Sequence, residues 1–84
     1  VASRKQMNWE KIAYDTYEAS FEISLRNHKE EDVLVKVMEP IPGDWQILTS
    51  SQEYKKTEAS LAEFNLLVPK GKEVKLNYRV RMRF

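Results

Sequence analysis

Three arginines at alternate positions near the end of the chain form the pattern with the clearest chemical potential. Arg79, Arg81 and Arg83 lie in a segment of strict apolar and polar alternation, so an extended backbone places all three on one face. By strand rise they form a basic stripe about 13 Å long, which could bind phosphates or sulfates. Glu18 and Glu22 alternate on the polar face of another segment and could neutralise the stripe across neighbouring strands. Charged side chains can also simply protect a sheet edge from aggregation.

The two tryptophans are the second candidate for ligand binding. Trp45 follows a Pro-Gly break and is expected to close one end of a β-sandwich, with its indole N–H bonded to a loop carbonyl. Trp9 has no such clear place, and an exposed Trp9 beside Tyr14 or Tyr54 could stack on a sugar ring. The candidate ligand or partner surface therefore comprises Arg79, Arg81, Arg83 and Trp9.

Catalytic and metal chemistry are disfavoured by what surrounds the only histidine. His28 lies in a polar run at 27–32 that is typical of a solvated loop, without an orienting partner at motif spacing. The chain contains no cysteine, which removes thiolate ligands, thiol chemistry and disulfides. The loop carboxylates match no calcium-binding signature; they are Glu30, Glu31, Asp32, Glu39 and Asp44. We predict a protein that is not an enzyme, with no catalytic residues, no cofactor and no metal site.

Length and charge bound the remaining functions. The 84 residues predict one domain spanning 1–84 with a modest core, and the net charge of +1 provides no overall field that selects nucleic acid. Nucleic acid is further disfavoured because no aromatic residues interleave with the arginines to stack bases. The apolar runs are far too short for direct membrane insertion, and no signal peptide is evident. The compartment cannot be read from the sequence.

Period-two alternation predicts the positioning elements. Strands are predicted at 74–84 and 16–26, where the alternation is uninterrupted. A third strand at 33–38 is rich in β-branched residues and is expected to be buried on more than one side. A short strand at 45–49 follows the Pro-Gly break. An irregular first strand at 7–14 slips in parity near Lys11, which predicts a bulge.

The stretch at 51–63 is open to two interpretations. Ser50 and Glu53 could form a helix capping box, but a loop followed by a strand at 63–68 is favoured. The turn at 69–72 then leads into the last strand as a hairpin would.

The fold class that follows is all-β: an immunoglobulin-like antiparallel β-sandwich of six or seven strands. The predicted core comprises Tyr17, Phe21, Ile23, Leu25, Val33, Val35, Val37, Trp45, Ile47, Phe64, Leu66, Val68, Leu76, Tyr78, Val80 and Met82.

Three segments together resemble one family. They are 17–27 with its Arg-Asn-His-Lys ending, 39–48 with its Glu-Pro and Gly-Asp-Trp motifs, and the closing pair 64–69 and 76–81. They are similar to the C-terminal part of domain of unknown function 4139, found in mucoidy-inhibitor-like proteins, over about residue 4 to the end. The resemblance implies an immunoglobulin-like module excised from the C-terminal end of a longer, bacterial-type protein, and it supplies no catalytic residues.

We therefore expect a non-catalytic structural or protein-interaction module, monomeric when isolated. Its partners would be other domains of the same parent protein or another protein, bound at a strand edge or flat face. The alternative is a carbohydrate- or polyanion-binding sandwich that uses an exposed tryptophan or the arginine stripe.

Overall fold

The computed structural model describes residues 2–84, and these residues form strands and turns without a helix. The seven strands are β1 (Ala2–Ala13), β2 (Thr16–Arg26), β3 (Val33–Pro40), β4 (Asp44–Ser50), β5 (Tyr54–Glu58), β6 (Leu61–Val68) and β7 (Glu73–Arg83). The all-β prediction is confirmed, and no helix forms at 51–63; that stretch contains β5, where a loop was predicted, and the start of β6.

Two antiparallel sheets divide the strands between them. Sheet A has the order β1-β2-β7-β4, and sheet B has the order β3-β6-β5. Their apolar faces enclose one core, so the β-sandwich is confirmed. The immunoglobulin-like strand order is not confirmed. In a constant-type immunoglobulin domain, the fifth strand lies in the sheet of the first and second strands, and the seventh strand lies in the sheet of the third and sixth strands. Here β5 and β7 have exchanged sheets.

The turn at 69–72 is where the sequence interpretation was wrong. Lys72 donates its backbone N–H to Pro69 at 3.1 Å, and Gly71 has a φ of 66°, so the segment is a tight turn. However, β6 and β7 lie in different sheets, and the turn carries the chain across the sandwich instead of closing a hairpin. Alternation reports which face a side chain takes but not which strand lies beside it.

The core is built mainly from the alternating faces of β2, β6 and β7. Most predicted core residues are buried, and Ala19, Ile41 and Ala62 join them, while Tyr17 is only partly buried. The three valines of β3 are only partly buried. Leu34, between them, is 69% exposed, so the prediction that this strand is buried on more than one side was wrong. The outer face of sheet B is open to solvent because no further layer covers it.

β1 is longer and more irregular than its sequence suggested. It pairs with β2 along twelve residues, with register shifts between Gln6 and Asn8 and between Lys11 and Ala13. The predicted bulge near Lys11 is confirmed, and the second bulge falls at Met7. β5, by contrast, was predicted as loop, because its sequence has no apolar alternation and all five of its residues are exposed.

Candidate functional site

The arginines of β7 lie on the outer face of sheet A and bond to carboxylates. Glu18 lies directly opposite Arg81 in the β2–β7 register. Arg81 donates from Nε to Oε2 of Glu18 at 2.9 Å, and Arg79 Nη2 lies 2.9 Å from Oε1 of the same carboxylate. Arg79 also donates from Nη1 to the hydroxyl of Ser20 at 3.0 Å. Glu18 is only 7% exposed, so the two guanidiniums enclose its charge.

The rest of the stripe follows the same rule. Arg83 Nε lies 3.4 Å from Asp15 Oδ2, and Arg79 Nη2 lies 3.4 Å from Glu10 Oε2. Further along the face, Lys75 Nζ lies 3.5 Å from Glu22 Oε1. The stripe is therefore one half of a cross-strand ion ladder, and its positive charge is balanced by acids of β1, β2 and the turn between them.

Two carboxylates of the ladder, Glu18 and Asp15, have pKa values below their ordinary values. The hydrogen bond from Arg81 lowers the pKa of Glu18 below its ordinary value of 4.5; burial opposes the shift, and Arg79 reinforces it. The pKa of Asp15 is also lowered, first by the hydroxyl of Thr16 and then by Arg83, against partial burial. A phosphate or sulfate would have to displace these carboxylates before it could bind the arginines.

Trp9 lies on the other face of sheet A, away from the arginines. It is opposite Ala19 in the β1–β2 register, on the face that turns toward sheet B, yet it is 50% exposed. Its ring centroid lies 5.5 Å from that of Tyr17, which lies 5.9 Å from that of Phe84. We call Trp9, Tyr17 and Phe84 the aromatic row. The four candidate residues thus do not form one surface.

Trp45 has the predicted structural role. It is buried, and its indole Nε1–H donates to the backbone carbonyl of Ala59, in the β5–β6 turn, at 2.8 Å. The ammonium of Lys56 lies 4.8 Å from the ring centroid. Trp45 closes its end of the sandwich and is not available to a ligand.

β1 is the one strand of sheet A that lacks a covered face. Every residue from Ala2 to Ala13 is exposed, although one face of the strand continues the apolar face of β2. β1 pairs with β2 on one side only, which leaves its other edge free. Five of the nine exposed large apolar side chains of residues 2–84 lie here, in β1, in the turn after it, or at Phe84 beside Tyr17: Met7, Trp9, Ile12, Tyr14 and Phe84. The other four, Leu34, Met38, Tyr54 and Leu67, lie on the strands of sheet B. A face continuous with the core but uncovered is typical of an interaction surface.

A partly buried ionic contact ties β1 to sheet B. Arg4 of β1 donates from Nε to Oε1 of Glu39 on β3 at 2.9 Å, and the phenol of Tyr78 donates to the same oxygen at 2.6 Å. Glu39 is 5% exposed. The guanidinium of Arg4 also lies 4.3 Å from the ring centroid of Phe21. We call Arg4, Glu39 and Tyr78 the edge latch, because it joins β1 and β3, the edge strands of the two sheets on one flank.

The charges of the edge latch support each other. Burial alone would lower the pKa of Arg4, but the hydrogen bond and charge of Glu39 outweigh it and raise this pKa above its ordinary value. Burial and the neighbouring carboxylate both raise the pKa of Tyr78, so its phenol remains a donor. The sequence held a signal for this contact: Glu39 follows Val33, Val35 and Val37 at the same parity, so a carboxylate stands where a core residue is expected.

An apolar pocket opens on the same flank, beyond the edge latch. It has a volume of about 370 Å³ between the ends of β1, β2 and β3. Its apolar walls come from Ala2, Leu25, Val33, Val35 and Val68, and its polar rim from 26–29. We call this the flank pocket.

The polar rim of the flank pocket is held by Asn27. The side-chain amide of Asn27 donates to the carbonyls of Glu31 at 2.8 Å and Val68 at 3.0 Å, and its oxygen accepts the N–H of Lys29 at 2.8 Å. His28 lies exposed on this rim.

Within residues 2–84, no group of three or more histidine, aspartate or glutamate side chains is placed to hold a metal ion. The same part of the chain contains no helix long and apolar enough to cross a membrane. Comparison with known proteins gave no match to a family model, a curated protein or a solved structure.

Proposed function

We propose that this chain is a non-catalytic interaction module that binds an extended segment of protein along the free edge of β1. The observation that carries this proposal is the exposure of β1: one of its edges is unpaired, and the face that continues the core is uncovered. Backbone groups at a free edge can pair with an added strand, and apolar side chains beside them provide contact area.

The partner is another domain of the parent protein or a separate protein. We propose, from the resemblance to the C-terminal part of domain of unknown function 4139, that the parent is a longer protein of that kind. An enzymatic role has no support in the described geometry, since the carboxylates of the ladder and the edge latch are each paired with an arginine or a lysine within the protein.

The arginine stripe supports polyanion binding less well than the sequence suggested, because Glu18, Asp15 and Glu10 occupy its donors. Carbohydrate binding at Trp9 stays as the second candidate, since half of the indole is exposed beside Tyr17. The two candidates use the same tryptophan but different neighbours: a sugar needs the ring face, whereas an added strand needs the β1 backbone.

The test is selection of random extended peptides that bind the 84-residue chain, followed by mapping of backbone amide signals by NMR. We expect bound peptides to shift and protect the amides of Ala2–Ala13. Trp9→Ala should weaken binding, while Leu67→Ala, at an exposed position on the outer face of sheet B, should not. Selection of no peptide, or shifts confined to the arginine face, would contradict the proposal. Binding of an oligosaccharide panel that perturbs Trp9 fluorescence but not the β1 amides would favour the second candidate.

A further inference from the structure

The charges of β1 point to the chemistry of the segment it binds, an inference that rests on the proposed function. β1 carries three cations, Arg4, Lys5 and Lys11, and one carboxylate, Glu10. Arg4 is bonded to Glu39, and Glu10 is bonded to Arg79. The acid and one base of the strand are therefore already satisfied inside the protein.

The two lysines are not satisfied in this way. Within residues 2–84, no carboxylate oxygen lies within 4.0 Å of the ammonium of Lys5 or Lys11. Lys5 faces Glu22 across the β1–β2 pair, but Glu22 is engaged by Lys75 at 3.5 Å. Among the described residues, the β1 edge of sheet A therefore offers two unpaired positive charges and no unpaired carboxylate.

The lysines lie on opposite faces of β1. Lys11 is opposite Tyr17, on the same face as the aromatic row, whereas Lys5 lies on the outer face with Glu22. A strand added at this edge would meet positive charge on both of its faces, near each end of the pairing region. Acidic side chains on the added strand would neutralise both.

Apolar contact is available on the core-side face at two places. The flank pocket includes Ala2 at one end of β1, and Trp9 stands near the other end. The edge latch, through Arg4, separates them. The two places lie about 20 Å apart by strand rise, once the bulge at Met7 is allowed for.

We propose that the β1 edge binds an extended acidic segment in which apolar side chains on the core-side face alternate with carboxylates on the outer face, where Lys5 lies. Beside Lys11, a further carboxylate takes the place of an apolar side chain on the core-side face. Apolar side chains cover the mouth of the flank pocket and the exposed face of Trp9, while carboxylates pair with Lys5 and Lys11. Charge complementarity at such an edge mainly selects the partner and speeds association.

The experiment compares two blocked synthetic peptides in which charged residues alternate with valine and one valine, at the end that reaches Lys11, is replaced by a further charged residue. The charged residues are all glutamate in one peptide and all lysine in the other. Binding to the 84-residue chain is followed by amide shifts of β1 and by Trp9 fluorescence in a Trp45→Phe background. We expect the glutamate peptide to bind on the order of tenfold more tightly than the lysine peptide at low salt, with the difference shrinking as salt is added.

Charge reversal sharpens the test. The double variant Lys5→Glu/Lys11→Glu should exchange the preference and favour the lysine peptide. The matched control Lys70→Glu/Lys72→Glu makes the same change in net charge in the β6–β7 turn and should keep the original preference. Circular dichroism verifies that both variants retain the β fold.

Two results would overturn this inference while leaving the proposed function intact: equal binding of both peptides at β1, or a preference that both double variants change equally. Self-association through β1, detected by sedimentation, would replace the acidic segment by a second copy of the chain. If neither these peptides nor any selected peptide binds β1, the proposed function fails as well, and the lysines serve only as edge protection.

Discussion

β1 and β7 belong to the same sheet, yet they are held by different forces. β7 lies between β2 and β4 and buries Leu76, Tyr78, Val80 and Met82 against sheet B. β1 pairs with β2 over nearly the same length, although with two bulges, but all of its residues are exposed. The difference shows that backbone pairing extends a sheet beyond the region that the hydrophobic core can stabilise.

The centre of sheet A and its β1 edge therefore contribute differently to stability and to binding. Burial of apolar surface stabilises by roughly 25 cal/mol per Å², whereas a hydrogen bond exchanged with water contributes little net free energy. The β2–β7 centre therefore supplies most of the stability. β1 depends on pairing with β2 and on the edge latch, and it keeps apolar surface available for a partner.

The largest expected effect is a loss of stability when the same substitution, isoleucine to alanine, is made in the core of sheet A and on β1. Ile23→Ala, on β2 at 4% exposure, should lower the free energy of unfolding by about 2–5 kcal/mol through lost burial and a cavity. Ile12→Ala, on β1 at 47% exposure, should cost less than about 1 kcal/mol. Urea unfolding followed by circular dichroism measures both. Equal costs would mean that β1 is as well covered as the core strands.

The edge latch is the next test. Glu39→Gln leaves Arg4 without its carboxylate and should cost about 1–3 kcal/mol, with faster hydrogen exchange in the first half of β1. Glu63→Gln is the matched control, because Glu63 is nearly as buried as Glu39 but has no partner on β1. Glu63 accepts from the Asn65 amide at 3.1 Å and pairs with the exposed Lys36 and Lys55, at 3.7 Å and 3.9 Å. This control variant should cost less than about 1 kcal/mol and leave β1 exchange unchanged. Unchanged β1 exchange in Glu39→Gln would show that pairing with β2 alone holds the strand.

The cross-strand ion ladder on the outer face of sheet A should make the free energy of unfolding depend on pH. Since the folded pKa of Glu18 lies below 4.5, the unfolded chain binds the proton first as the pH falls. The stabilisation from Glu18 is complete above its unfolded pKa and is lost as the pH falls through the folded pKa. Glu18→Gln should flatten this acid loss, while Glu58→Gln, exposed on β5, should not. Urea unfolding between about pH 3 and pH 7 checks the slopes, and identical slopes in both variants would contradict the ladder.

The smallest effect is a spectroscopic one and separates the two tryptophans. The Trp45→Phe variant reports Trp9 alone, and we expect acrylamide and iodide to quench its fluorescence readily. The Trp9→Phe variant reports Trp45, which the sandwich shields and the Ala59 carbonyl holds in place. Equal quenching in the two variants would mean that the Trp9 side of β1 is covered.

Much of the fold could be predicted because alternation is a local signal. β2 and β7 show it without interruption, and the side chains of Phe21, Ile23 and Val80 lie in the core as expected. The predicted indole bond of Trp45 and the cross-strand pairing of Glu18 are also confirmed. These features follow from the identity and parity of neighbouring residues.

The errors concern what alternation does not encode. The 69–72 turn was taken as a hairpin, because a turn between two strands does not reveal whether the chain changes sheet. The start of β1 and all of β5 were missed, since exposed strands carry no apolar pattern. Glu39 was grouped with loop acids, although its parity in β3 marked it as an inward-facing residue. The edge latch also needs Arg4, which lies thirty-five positions away.

The place of β7 has a further consequence for how the molecule is assembled. β7 inserts between β2 and β4, which both precede it in the sequence, so their facing edges stay unpaired until it is made. Folding of sheet A must therefore wait for contacts between distant parts of the sequence. Residues 73–83 complete sheet A, and any delay in their synthesis leaves the unpaired edges of β2 and β4 open to aggregation.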